Sequence, residues 1–212
     1  MRKILIAFLF LFGTISHSSA EVGMNIGISG ALGYFEASAK EKEGNETSAS
    51  KDAEGVGAIA SLFVEKTITD NISLGIDWAP TAFETETTEH GQVDGGSAVT
   101  NKVQVDFTNL LEVYAMASND SGFHAKVGYI EVDVETNESL ATGSKYPDTE
   151  MDGFTIGAGY TNDLGNGAFL RAELSYLELG GVTVTSSNNS DNSVSADDIT
   201  GYTAKFKIGR SF

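Results

Sequence analysis

Residues 201–212 read GYTAKFKIGRSF. Aromatic or apolar side chains fall at Tyr202, Ala204, Phe206, Ile208 and Phe212, and Lys or small residues stand between most of them. Period-two alternation is what a strand with two unlike faces produces, and a helix of 3.6 residues per turn cannot use it. The same pattern recurs backwards through the chain. Even positions from Val22 through Met24, Ile26, Ile28, Gly30 and Leu32 to Tyr34 form an apolar row, with Gly, Asn and Ser between most of them. Further rows are Val56 to Val64, Ile72 to Trp78, Val103 to Ala115, Phe123 to Tyr129, Phe154 to Tyr160 and Ala168 to Tyr176. With the C-terminal stretch they make eight, an even number as closed up-and-down barrels require. The fourth row has one polar member, Asn109. In the fifth, parity switches at Ile130, Val132 and Val134, as at a bulge or where a strand leaves the apolar layer.

Connections alternate too. Thr69-Asp70-Asn71, Ser118 to Gly122 and Asn162 to Gly167 are short turns of residues that tolerate hairpin dihedrals. Between them lie long polar segments, Lys40 to Glu54, Phe83 to Asn101, Asp133 to Asp152 and Glu178 to Thr200. Strict alternation puts every long loop at one end, the asymmetry of outer-membrane barrels.

The first 20 residues form a separate segment. A positive start at Arg2 and Lys3, an apolar run from Ile4 to Phe12 and small residues at Ser18 to Ala20 predict a cleaved secretory signal. The run is too short to span a bilayer as a helix. Residues 21–212 are then one domain with 11 basic against 30 acidic residues, a formal charge of −19. That balance argues against a nucleic-acid partner. Zero cysteines exclude disulfides and thiolate metal sites.

Which face meets lipid follows from three features. Small residues crowd the non-apolar rows, as a narrow barrel interior demands. Charges on those rows come in both signs, Asp77, Glu112 and Glu173 with Lys126, Arg171, Lys205 and Lys207, so enclosed charges can pair in a lumen network. Aromatics on the apolar rows gather near the long loops, at Tyr34, Trp78, Phe107, Tyr129, Phe154, Tyr176 and Tyr202, as in a membrane-interface girdle. Phe123, Tyr160 and Phe212 would mark the opposite rim. The predicted fold is therefore all-β, an eight-stranded antiparallel up-and-down transmembrane β-barrel.

With these rows and this terminal strand, the chain resembles the small eight-stranded outer-membrane barrels of Gram-negative bacteria, the group of the OmpA transmembrane domain, OmpX-type and opacity-type proteins. The resemblance covers about Glu21 to Phe212. It implies that Tyr202, Phe206, Ile208 and a last Phe212 are the signal read by the barrel-assembly machinery, an edge-strand recognition. Arg210 departs from the pattern by placing a charge on the lipid face, where a rim position lets it snorkel. A wall-binding domain after the barrel is not expected.

Nothing in the sequence assembles a catalytic site. His17 leaves with the signal; His90 with Ser97 imitates the His and Ser of lipid-modifying barrel hydrolases or acyltransferases, but no spacing enforces it. His124 has inward parity and is expected to be hydrogen-bonded within the lumen. The four long segments hold 19 Asp or Glu and 4 Lys. They predict a hydrated acidic exterior, with divalent cations as candidate ligands although Asp148, Glu150 and Asp152 lack the spacing of a defined calcium loop.

The expected protein is a monomeric, non-enzymatic, side-chain-filled barrel of the bacterial outer membrane with no cofactor or metal, in contact with lipid and lipopolysaccharide. The alternatives are a narrow ion pore, an adhesin or an envelope lipid hydrolase. Removing Phe212 is expected to lower the folded fraction on unboiled gels more than a comparable change at Phe83, placed here in a long loop; equal yields would remove the assembly-signal reading.

Overall fold

The computed structural model describes residues 23–47, 50–94, 97–139 and 143–212. The predicted signal, 1–20, lies outside them. Twelve strands follow in order: β1 (Met24–Glu43), β2 (Glu46–Thr47), β3 (Lys51–Thr69), β4 (Ile72–Glu84), β5 (Thr88–Asp94), β6 (Ser97–Ser118), β7 (Phe123–Ser139), β8 (Thr149–Gly165), β9 (Ala168–Leu179), β10 (Val182–Thr185), β11 (Ser193–Ala196) and β12 (Ile199–Ser211). Eight of them, β1, β3, β4, β6, β7, β8, β9 and β12, pair antiparallel with their chain neighbours. The ring closes where β1 pairs β12 from Asn25↔Ser211 to Glu36↔Thr200. Met24 and Phe212 exchange both backbone hydrogen bonds at the seal, at 3.1 and 2.9 Å.

Tight turns at one end use the expected residues. Gly122, Asn166 and Gly167 have φ of 90°, 55° and 78°, the left-handed region that Gly and Asn enter at least cost. The long segments at the other end are not loops throughout. β1 has 20 residues and β6 has 22, about twice the 9–11 that a tilted strand needs to cross a bilayer. The excess continues the hairpins beyond the membrane. The segment 186–192 then stitches them together: Asn188 Oδ1 accepts from the Lys145 amide at 2.9 Å, and Asn192 Oδ1 from the Gly44 amide at 3.0 Å.

Row parity holds along most of the wall. Ile28, Leu32, Leu62, Val127, Ile156, Leu174, Phe206 and Ile208 all face outward and exposed, which in lipid is their favourable solvent. Two expectations need correction. Ile130, Val132 and Val134 do not mark a bulge in β7, whose even residues face inward throughout; they are apolar because the external half of the lumen is apolar. The bulge lies across from them in β6, where pairing shifts between Thr108 and Leu111 and Asn109 takes φ of 51°. One extra residue inverts the faces of everything beyond it. Phe107 is thereby turned inward and buried, and it leaves the outer girdle.

Phe83 is not a loop residue. It stacks on Phe35 at 5.2 Å and on Phe107 at 4.3 Å between ring centroids, three rings from β1, β4 and β6 across the external lumen. Around them pack Ile59, Ala79, Ala82, Ile130, Val132, Met151, Leu177, Leu179 and Ile199. An exposed hairpin residue such as Thr100 is the sound comparator for Phe212.

One wall is incomplete. Among the described residues, β3 and β4 pair from Thr69↔Ile72 up to Leu62↔Trp78 and no further. Above that rung β3 pairs β1 while β4 pairs β6, and no ladder joins Lys51–Ser61 to Ala79–Glu84, although the strands stay close: a Cβ at Gly57 would stand 3.1 Å from Phe83 Cβ. Pro80, which has no N–H to donate, sits on this seam.

Candidate functional site

The lumen has two layers. Toward the short turns it holds four carboxylates, Glu65, Asp77, Glu112 and Glu173, and four cations, Lys126, Arg171, Lys205 and Lys207, all buried except the partly buried Lys205. Register explains how they meet. Glu173 lies beside Lys205 and Arg171 beside Lys207 on β9 and β12, yet the side chains reach across the barrel instead of along the wall. Lys207 Nζ is 2.9 Å and Lys205 Nζ 3.1 Å from Asp77 Oδ2 on β4. Lys126 Nζ on β7 bridges Glu112 Oε1 at 2.7 Å and Glu173 Oε1 at 2.6 Å. Arg171 holds Glu65 of β3 through both terminal nitrogens, the bidentate geometry a guanidinium offers a carboxylate.

Neutral donors complete the layer. Tyr114 donates to Glu65 Oε1 at 2.6 Å and Thr155 to Glu112 Oε1 at 2.6 Å. Lys207 also lies 4.7 Å from the Phe63 ring centroid and 4.9 Å from that of Tyr114, so the apolar members flank charges directly. Space for these large side chains comes from inward glycines on neighbouring strands. A Cβ at Gly159 would stand 2.7 Å from the His124 ring.

All seven charges read from the sequence come together here. Glu65 is the one missed; it stands in the opposite parity to the Val56–Val64 row, so carrying that row's inner face one step further would have found it. His124 is buried as expected, and its Nε2 lies 3.4 Å from Glu173 Oε2 inside the charged layer. His90 and Ser97 do not converge. On the β5–β6 hairpin His90 pairs Asn101 and Ser97 pairs Asp94, four rungs apart, or about 13 Å at ~3.3 Å per residue.

On the outer wall, Tyr34, Tyr129, Phe154 and Tyr202 are exposed, and Trp78 and Tyr176 half-buried. Tyr34 donates to Glu36 at 2.9 Å and Glu54 at 2.6 Å, and Tyr176 to Glu178 at 3.1 Å, so their hydroxyls point toward the acidic hairpins. At the other rim Phe123 packs edge-on against Tyr160 at 5.1 Å, and Phe212 is exposed. Beyond the membrane, burial raises the Tyr146 phenol above its ordinary value, and Glu41 beside it adds to the effect. Among the described residues no group of three acidic or His side chains is arranged to hold a metal ion.

No family model and no curated sequence matches the chain. Solved structures do. The outer membrane protein AlkL is 13% identical over 93% of this chain and 93% of its own, with a TM-score of 0.57. OprG from Pseudomonas aeruginosa is 14% identical over 90% and 96%, at 0.52. The outer membrane protease OmpT from Escherichia coli is 8% identical over 94% and 100%, at 0.51. The chain therefore has the fold of outer-membrane β-barrels, and at such identities the likeness extends to fold alone.

Asp77→Ala leaves Lys205 and Lys207 without a carboxylate they share and is expected to destabilise the barrel by about 3–5 kcal/mol. The exposed pair Lys102–Glu89 is shorter, at 2.6 Å, yet Glu89→Ala should cost less than about 1 kcal/mol. Urea unfolding of both variants in lipid vesicles checks the contrast.

Proposed function

We propose that this chain is a non-enzymatic, monomeric barrel of the bacterial outer membrane, delivered by a cleaved signal peptide and inserted by the barrel-assembly machinery. It serves the envelope structurally, keeps its lumen closed to ions and presents acidic hairpins outside. The observation that carries the closed lumen is the set of cross-lumen ion pairs, in which cations from β7, β9 and β12 meet carboxylates from β3, β4, β6 and β9. A hydrated ion entering this layer would have to displace paired charges in a site of low polarisability, where a broken pair is costly. Outside, Glu36, Glu54, Glu178 and their neighbours repel bare phosphate, so lipopolysaccharide is met through divalent cations. Planar bilayers with the wild-type protein should show no discrete conductance steps, whereas Glu112→Ala/Lys126→Ala should show them. Steps from the wild type would replace this reading with the pore.

The seam between β3 and β4 favours a second reading. Above the charged layer the interior is apolar, and the wall beside it is unpaired from Trp78 upward. A small apolar molecule entering from outside finds its way down blocked by charge and its way sideways, into the outer leaflet, blocked by the Phe83 ring. Phe83→Ala is expected to speed partitioning of a hydrophobic fluorescent probe into vesicles that carry the barrel. An unchanged rate would leave the seam a packing feature.

A further inference from the structure

The outer wall carries a cavity of about 560 Å³ over β1, β12 and β9, lined by Leu32, Tyr34, Leu174, Tyr176, Tyr202 and Ala204 among others. It arises from three successive rungs. Tyr34, Tyr202 and Tyr176 stand abreast in the uppermost; Leu32, Ala204 and Leu174 in the next; Gly30, Phe206 and Ala172 in the lowest. The central strand is small where its neighbours are large, and large where they are small. Ala204 is thus the floor of a trough walled by two leucines, roofed by tyrosine rings and stopped below by Phe206, itself 69% exposed.

The roof fixes the depth. Tyr34 and Tyr176 turn their hydroxyls away from the trough onto Glu36, Glu54 and Glu178, which belong to the aqueous side. The trough therefore lies one rung beneath the water boundary, among the first methylenes of the outer leaflet. Its lining offers no charge to a ligand, and Glu36, Glu54 and Glu178 stand at its rim, with Thr200 between Glu36 and Glu178.

We propose that this trough binds one acyl chain of lipopolysaccharide, with a divalent cation joining the lipid's phosphate to the carboxylates at the rim. An apolar chain fits the lining, and a phosphorylated headgroup cannot approach three carboxylates without a cation between them. A lipid whose headgroup carries no phosphate would gain nothing from the cation. The assignment rests on the reading that lipopolysaccharide is met through divalent cations at the acidic hairpins, and not on whether the lumen is closed.

Ala204→Phe fills the floor. Leu170→Phe, on the same exposed face but one rung below Phe206, is the control, and both are first checked for the heat-modifiable folded band. Lipopolysaccharide retained by detergent-purified protein is then measured by mass spectrometry, with and without EDTA. Ala204→Phe should lower retention about tenfold, the effect of losing burial of roughly two methylene groups, EDTA should lower it as well, and Leu170→Phe leaves it unchanged. Equal retention in all three proteins would overturn the proposal. Loss of bound phospholipid, insensitive to EDTA, would overturn the assignment to lipopolysaccharide.

Discussion

Hydrocarbon offers no partner to a peptide group, so each N–H and C=O that crosses it must be paired inside the protein. The pairing of β1 with β12 makes this possible, because it converts eight strands into a ring without edges over the depth where lipid surrounds them. Everything else is subordinate to that closure. A ring of eight strands is narrow, so inward side chains compete for space and glycines must face aromatics. The stretch of β3 and β4 above the Leu62↔Trp78 rung, which carries no ladder between the two, is the exception.

Within the ring, chemistry is divided by depth. Ion pairs near the short turns join strands that are not neighbours: β3 with β9, β4 with β12, β7 with β9. Such pairs brace the cross-section, which backbone ladders cannot do because they run only between adjacent strands. Higher up, aliphatic side chains and the Phe35–Phe83–Phe107 stack fill the same cross-section without charge.

Outside, the wall has its own order. The period-two rows present a continuous apolar band, yet variation in side-chain size within the rows relieves its smoothness, most clearly where Ala204 lies between Leu32 and Leu174. Above this band the strands continue as acidic hairpins held to one another through Asn188 and Asn192. The acidic surface is therefore a built extension of the barrel.

The eight ring strands, the short turns, most of the outward rows and seven of the eight lumen charges were legible in the sequence, because alternation and turn chemistry are local properties of consecutive residues. Glu65 was within reach of the same parity argument. The inward turn of Phe107 was not: it depends on a single bulge at Asn109, which shifts the face of every residue beyond it while leaving the apolar pattern almost unchanged. Nor was the inward apolar run from Ile130 to Val134, since alternation reports that two faces differ but not which solvent each one meets. Which carboxylate meets which cation, where β3 leaves β4, and that Ala204 becomes a floor were decided only by the closed tertiary structure. Those contacts join residues as far apart as Asp77 and Lys207, and their register exists only once the last strand has paired with the first.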